Sequence, residues 1–371
     1  MKMKYNLLKD IAIITMGQSP DSSSYNEEGN GIPFYQGNAD FGELYPIARV
    51  WCNSPKKTAK ENDILISVRA PIGALNYAKE ECCIGRGLAA ITIENSSMRN
   101  YVFHFLKAQN KELNNKGTGS TFKAISKLVL EEVQVPVMSV EQQKVSMKLM
   151  DTIEQTIRQR KQELQKIDDL IKARFVELFI GKGYPTKTVD EVSLTKGEYG
   201  AQSASVEYDP TRPRYVRITD INDDGTLNND VVASVNPGDD EQYRLVYGDF
   251  MFARMGATVG KTYAFIEGNQ IFAGYLIRYR LNQQIINPRY LFWYTKQEEY
   301  WNWVKLNQSG AAQPGINAKK YGSLRIPIPP IKEQNVFATF VSQVDKSKLA
   351  VQQSLEKTQE LFDSLMQKYF G

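Results

Sequence analysis

Residues 141–180, EQQKVSMKLMDTIEQTIRQRKQELQKIDDLIKARFVELFI, decide how the rest of the chain is read. Met150, Ile157, Leu164, Ile171 and Leu178 stand seven apart, Ile153 and Ile167 fall between them, and no glycine or proline intervenes before Gly181. An apolar seam of period 3.5 keeps one stripe of a helix turned toward a partner helix, and glycine is common just past a helix C-terminus. At a rise of ~1.5 Å per residue the helix would be roughly 60 Å long. Arg160 and Arg174 interrupt the seam. One long helix lying on a globular core is the simpler reading, but the period favours a pair.

The partner lies at the other end of the chain. Residues 332–370 carry a second seam, Phe337, Val341, Val344, Val351, Leu355, Phe362, Leu365 and Tyr369, with Lys348 and Thr358 as polar interruptions. The segments before each helix also repeat. Asn62-Asp63-Ile64-Leu65-Ile66-Ser67 reads against Gly248-Asp249-Phe250-Met251-Phe252-Ala253, and each runs into a glycine-bearing turn, from Arg69 and from Arg254. Tyr101-Val102-Phe103 matches Tyr290-Leu291-Phe292, Gly117-Thr118-Gly119-Ser120 matches Gln308-Ser309-Gly310-Ala311, and Val135-Pro136-Val137 matches Ile326-Pro327-Ile328. Val140-Glu141-Gln142-Gln143 matches Ile331-Lys332-Glu333-Gln334, and Pro33 to Asn38 aligns loosely with Arg214 to Thr219. The offset drifts from about 181 to about 191 residues, as one duplicated unit with small insertions requires. Strands are expected at Ile64 to Val68, Gly87 to Ile93, Tyr215 to Ile218, Phe250 to Ala253 and Ile271 to Tyr279, with turns at Asn222–Gly225 and Asn236–Asp239. Short helices are expected at Arg99–Gln109 and Asn287–Val304. Each unit therefore reads as α+β, and the chain as residues 1–140, a helix over 141–182, residues 183–331 and a helix over 332–371. A pseudo-two-fold relation between the copies makes the helix pair antiparallel and returns the C-terminus to the first unit.

Composition narrows the function. With 371 residues, 42% hydrophobic and 24% charged, the chain can form two or three domains with real cores. It has no apolar run near the ~20 residues of a membrane span and no signal-peptide core, so a cytoplasmic protein is expected. Cys52, Cys82 and Cys83 are too few and too clustered for a disulfide framework or a zinc site. His104, the single histidine, sits in the apolar run Tyr101–Leu106, which suits a packed helix rather than catalysis. Net charge is +4 and spread along the chain, so bulk charge alone does not announce nucleic-acid binding.

Reaction centres are missing. Gly260-Lys261-Thr262 ends like a phosphate loop, but Met255 occupies the position where the loop needs its first glycine. Asn287-Pro288-Arg289-Tyr290 lacks the second proline of the amino-methyltransferase motif and opens a helix instead. No metal site and no cofactor is expected in this chain. What remains are polar, aromatic and basic residues in glycine-rich loops, the residue types that meet phosphates and base edges. In the first unit these are Gln18, Ser22, Tyr25, Gln36, Asn38 and Arg69, with Lys116, Thr118, Ser120 and Lys123 in a later loop. In the second they are Tyr199, Gln202, Arg214, Arg217 and Thr219, then Arg254, Thr258, Lys261, Lys319 and Lys320.

Several of these stretches together resemble the specificity subunit of type I restriction-modification systems. They are Gly17-Gln18-Ser19-Pro20, Ile32-Pro33-Phe34-Tyr35-Gln36-Gly37, Asp63–Ser67, Gly119-Ser120-Thr121 and the exits through Val135-Pro136-Val137 and Ile326-Pro327-Ile328-Pro329-Pro330. The resemblance implies an α+β fold with two pseudo-two-fold-related target-recognition domains separated by an antiparallel coiled coil of two long helices. It implies that each domain reads half of an asymmetric, interrupted site in double-stranded DNA. It further implies docking of two methyltransferase (modification) subunits and of restriction/translocase subunits, with S-adenosylmethionine, ATP and Mg held on those partners. The second domain departs from the pattern at Ala201-Gln202-Ser203-Ala204, as halves that read different sequences would. A stand-alone coiled-coil regulator or scaffold is the alternative, distinguished by DNA binding without a methyltransferase partner. A fused enzyme is the other, and S-adenosylmethionine binding to the isolated chain would reveal it.

Overall fold

The computed structural model describes residues 4–118, 123–235, 241–309 and 314–370. The chain folds into two compact units, Met1–Lys161 with Gln353–Gly371, and Gln162–Gln352. Each 40-residue helix, Val140–Phe179 and Ile331–Phe370, therefore gives its first half to one unit and its second half to the other.

The two units repeat one strand plan. In the first, Ile13–Met16, Leu88–Thr92, Ile64–Ser67 and Leu75–Tyr77 lie side by side in that order, and in the second Glu198–Tyr199, Leu276–Arg280, Asp249–Ala253 and Thr262–Ala264 do the same. A second sheet in each unit contains one parallel pair, Ile32–Tyr35 on Cys82–Ile84 and Arg214–Val216 on Gln270–Phe272. A short antiparallel pair closes each unit, Tyr5–Leu7 on Gln134–Pro136 and Thr186–Thr188 on Arg325–Pro327. Matched residues make matched bonds. The Tyr101 hydroxyl donates to Pro136 O at 3.0 Å and that of Tyr290 to Pro327 O at 2.7 Å. Buried Gln143 donates to Met138 O at 3.2 Å, and buried Gln334 to Pro329 O at 2.8 Å.

Two expected elements divide. Ile271 to Tyr279 is two strands, because the chain leaves one sheet after Phe272, turns through Ala273-Gly274-Tyr275 and joins another at Leu276. The helix expected over Asn287–Val304 is Pro288–Tyr294 followed by Glu298–Asn307. The break falls where the Thr295 hydroxyl turns back to Phe292 O at 2.7 Å and the Gln297 side chain donates to Trp293 O at 2.8 Å. The helix in the first unit starts three residues early, at Ser96, because Asn95 caps it by accepting from Met98 N. The turn expected at Asn236–Asp239 lies outside the described residues.

The long helices run antiparallel in the second unit: Asp168 pairs with Lys348 at 2.8 Å, while Phe175 and Phe179, later in the first helix, meet Phe337, earlier in the second, edge to face. Met150, Ile153 and Ile157 are buried with Phe362 in the core of the first unit, where Leu355 and Leu365 pack against them; Ile171 and Val341 are buried in the second, with Leu178 and Val344 alongside. Leu164, Ile167 and Val351 are half-buried. At its C-terminal end each helix changes from the 3.5 period to a four-residue stripe, Ile171/Phe175/Phe179 and Phe362/Met366/Phe370, which enters a domain core. Phe370 reaches Tyr101 at 5.4 Å between ring centres, and its carbonyl accepts from Gln109 Nε2 at 3.1 Å, so the C-terminal residues complete the first unit. Of the seam interruptions, Lys348 bonds Asp168 and Arg174 bonds Glu177 at 2.7 Å. His104 is buried, with Nε2 3.2 Å from Asp151 Oδ1 on the first long helix, a packing position. Among the described residues no helix is long and apolar enough to cross a membrane.

Candidate nucleic-acid interface

In the first unit three loops meet backbone to backbone where the two larger sheets adjoin. Gly17 N donates to Leu88 O at 2.9 Å, Gln18 N to Ile84 O at 3.0 Å, and Gly85 N to Tyr35 O at 2.8 Å. Only glycine allows this approach: a Cβ on Gly17 would stand 2.1 Å from Gly85 O, and one on Gly87 2.2 Å from Gln36 O. The backbones close the junction, and Gln18, Gln36 and Arg86 are left exposed on it. A further layer is tied on through Val68, whose N donates to Gly87 O while its carbonyl accepts from Ile125 N, both at 2.9 Å. Beside it Arg69 bridges to Ala124, Thr118 and Ala124 exchange bonds of 3.0 and 2.9 Å, and Ala70 N donates to Lys123 O at 3.1 Å. Gln18, Gln36, Arg69, Thr118 and Lys123 thus belong to one connected set of loops, all exposed. Ser120 lies outside the described residues.

The other expected residues of this unit have local duties. Tyr25 rests on Phe34 at 4.8 Å and donates its hydroxyl to Pro20 O at 2.9 Å, and burial raises its pKa. Asn38 opens a turn fixed by Asp40, whose Oδ2 accepts from Gln36 N at 2.7 Å. Ser22 is exposed in the turn Ser22–Ser24, and Lys116 pairs with Glu112 at 2.7 Å. Arg86 was not singled out from the sequence. Its signal was there: an arginine flanked by Gly85 and Gly87, at a break between two apolar strands.

The second unit builds the same junction. Gly200 N donates to Leu276 O at 3.3 Å, Ala201 N to Phe272 O at 2.9 Å, and Ala273 N to Val216 O at 2.9 Å. A Cβ on Gly200 would lie 2.4 Å from the carbonyls of both Phe272 and Ala273. The next layer enters through Arg254, whose N donates to Tyr275 O at 3.0 Å and whose carbonyl accepts from Ile316 N at 2.9 Å. On this junction Tyr199, Gln202 and Arg254 come together with Tyr275. The Arg254 guanidinium lies 4.8 Å from the Tyr199 ring and 5.6 Å from the Tyr275 ring, and Gln202 covers Gly274. Exposed Lys319 follows Ala318, whose N donates to the Tyr199 hydroxyl at 3.2 Å.

The remaining residues are engaged elsewhere in the fold. Arg217 makes a forked pair with buried Asp220, the shortest contact 2.8 Å, and donates to Val231 O. Arg214 donates to Asn229 Oδ1 at 2.8 Å and to Asn228 O. Lys261 bonds Asp223 at 2.8 Å and holds that carboxyl below its usual range. Lys320 Nζ donates to Asn307 O at 2.7 Å, the Thr258 hydroxyl closes its own turn onto Met255 O at 3.1 Å, and exposed Thr219 donates to Asp220 at 3.4 Å. Charged type and loop position do not distinguish these residues from Arg254: Arg217 has its partner three residues away, whereas Lys261 meets Asp223 and Arg254 meets Tyr199 only through the fold.

The chain is thus a doubled α+β domain with the same loop junction in each copy. The chain belongs to the type I restriction modification DNA specificity domain family, which matches it twice, over residues 2–169 and 186–361. It is similar to the putative type I restriction enzyme MjaX specificity subunit of Methanocaldococcus jannaschii, 42% identical over 170 residues that make up 46% of this chain and 40% of that protein. The chain thus spans well under two thirds of that relative. It is 20% identical to the type I restriction enzyme EcoBI specificity subunit of Escherichia coli, over 98% of this chain and 84% of that one. Its fold resembles the crystal structure of the type I restriction-modification S subunit of M. genitalium, with a TM-score of 0.64, 13% identity and coverage of 100% and 96%.

Proposed function

We propose that this chain is the DNA-specificity subunit of a type I restriction-modification complex and carries out no bond chemistry itself. Each domain reads one half of an interrupted, asymmetric site through the loops of its glycine-packed junction. Backbone contacts hold those loops rigid, and rigid support is what base-edge recognition needs. The long helices set the gap between half-sites and dock two modification subunits, which bring S-adenosylmethionine; restriction subunits, with ATP and Mg, complete the endonuclease. The observation that carries this reading is the repetition of the same three-loop junction, bond for bond, with different side chains displayed on each copy. Modified-base sequencing of a host expressing this chain with its modification subunits tests it. The expected result is one methylated motif of two defined half-sites separated by a fixed gap. A motif that is contiguous, or methylation that does not depend on this chain, would overturn it.

A further inference from the structure

We infer that Arg254 reads a guanine in the half-site of the second domain, held for that purpose between Tyr199 and Tyr275. The inference rests on the DNA-reading function proposed above and names the chemistry of one half.

The other arginines of this unit have their guanidinium groups engaged by the fold: Arg214 donates to Asn229 and Asn228, and Arg325 to Thr186. Arg217, Arg244, Arg278, Arg280 and Arg289 are each tied to a carboxylate. Among the described residues Arg254 has no carboxylate partner, although it is half-buried. Its Nε donates to Gly274 O at 3.1 Å, which orients the guanidinium and leaves the two terminal amino groups as its remaining donors. Tyrosine rings stand against it at 4.8 and 5.6 Å, distances at which a guanidinium is attracted to an aromatic face. Those rings are themselves placed: Tyr199 by pairing with Ile277 and by the bond its hydroxyl accepts from Ala318 N, Tyr275 by the bond its carbonyl accepts from Arg254 N. Both rings are otherwise open, 42% and 54% exposed. An arginine immobilised before binding loses less freedom on binding, and a guanidinium fork matches the O6 and N7 acceptors of guanine in the major groove.

The first domain has no such clamp. Matched hydrogen bonds place Met16 at the position of Tyr199, Val68 at that of Arg254 and Gly87 at that of Tyr275. Arg86 stands instead at the position of Gly274, exposed and on a different loop. The first copy therefore displays Arg86 from the loop that matches Gly274, and Arg69 one residue past the position of Arg254 with no tyrosine pair around it, so the two half-sites place their contacts differently.

The test uses the complete complex with Arg254→Lys, which keeps the charge and loses the fork. Methylome sequencing and competition binding with duplex libraries are expected to show one position of one half-site, guanine for the unaltered chain, becoming degenerate. Discrimination at that position should fall about 5- to 150-fold, the equivalent of ~1–3 kcal/mol per bidentate contact, with the other half-site and the gap unchanged. Tyr275→Leu, at an exposed ring, should relax the same position to a smaller extent. The inference is overturned if binding weakens equally on all sequences with a shallower salt dependence, which marks a phosphate contact. It is also overturned if neither variant alters the motif, or if the half-site has no G·C pair. Loss of the proposed function reads differently: the unaltered complex would then show no two-part motif.

Discussion

Gly17 and Gly200 show how single residues hold the loop junctions together. Each lets a loop backbone lie against a neighbouring carbonyl where a methyl group would overlap it. Gly17→Ala is therefore expected to destabilise the first unit by ~1–3 kcal/mol, the usual cost of overpacking, as read by denaturant unfolding, and to lower DNA affinity through displaced Gln18 and Arg86. Buried tyrosines give a pH signature. Burial pushes the Tyr35 and Tyr101 hydroxyls up to about 12 from their ordinary 10.0 and raises those of Tyr279, Tyr290, Tyr294 and Tyr321 in the same direction. With folded values above unfolded ones, the unfolded chain releases these protons first. Their contribution to stability is whole below pH 10.0 and is lost as pH rises through the folded values. Burial likewise raises the Cys82 and Cys83 thiols from 9.0 to about 12, so denaturation midpoints followed from pH 8 to pH 12 should begin to decline near pH 9 and fall more steeply above about pH 10, there in step with tyrosinate absorbance.

At the scale of elements, the two long helices are more than a zipper. Their seams use the 3.5 period in the middle, but the final stripes, Ile171/Phe175/Phe179 and Phe362/Met366/Phe370, follow a four-residue spacing and fill domain cores. Phe175 and Phe370 are the places to test this, at 0% and 4% exposure. Phe370→Ala should cost about 3–5 kcal/mol and raise hydrogen exchange in Tyr101–Leu106, and Phe175→Ala should do the same in Pro288–Tyr294. Equal protection of those segments in the variants would show that the helix ends merely lie on the domains.

For the whole molecule, duplication with divergence predicts separable halves. Exchanging residues 1–140 for the corresponding domain of another such chain should change one half-site and leave the other and the gap intact, as methylome sequencing reads it. Adding four residues to both long helices should lengthen the gap without altering either half-site, since DNA repeats its face every ~34–36 Å and a helical spacer is about 1.5 Å per residue. Altered half-sites with an unchanged gap would contradict a ruler.

The sequence by itself determined what depends on local pattern and on order: two long helices from the period of their apolar residues, a duplication from motifs such as Asn62-Asp63 and Gly248-Asp249 recurring in the same succession, and glycine-bearing turns at the strand ends. Asp63 and Asp249 even make the same bond, accepting from Lys60 N at 2.9 Å and Val246 N at 3.0 Å. Tertiary structure alone decided which of the loop arginines and lysines remain available. Lys261 is engaged by Asp223, 38 positions before it, and Arg214 by Asn228 and Asn229, whereas Arg254 lies against Tyr199 and Tyr275, residues 55 positions before it and 21 after it. A charge is legible in one residue; its partner depends on which distant strands the sheets bring side by side.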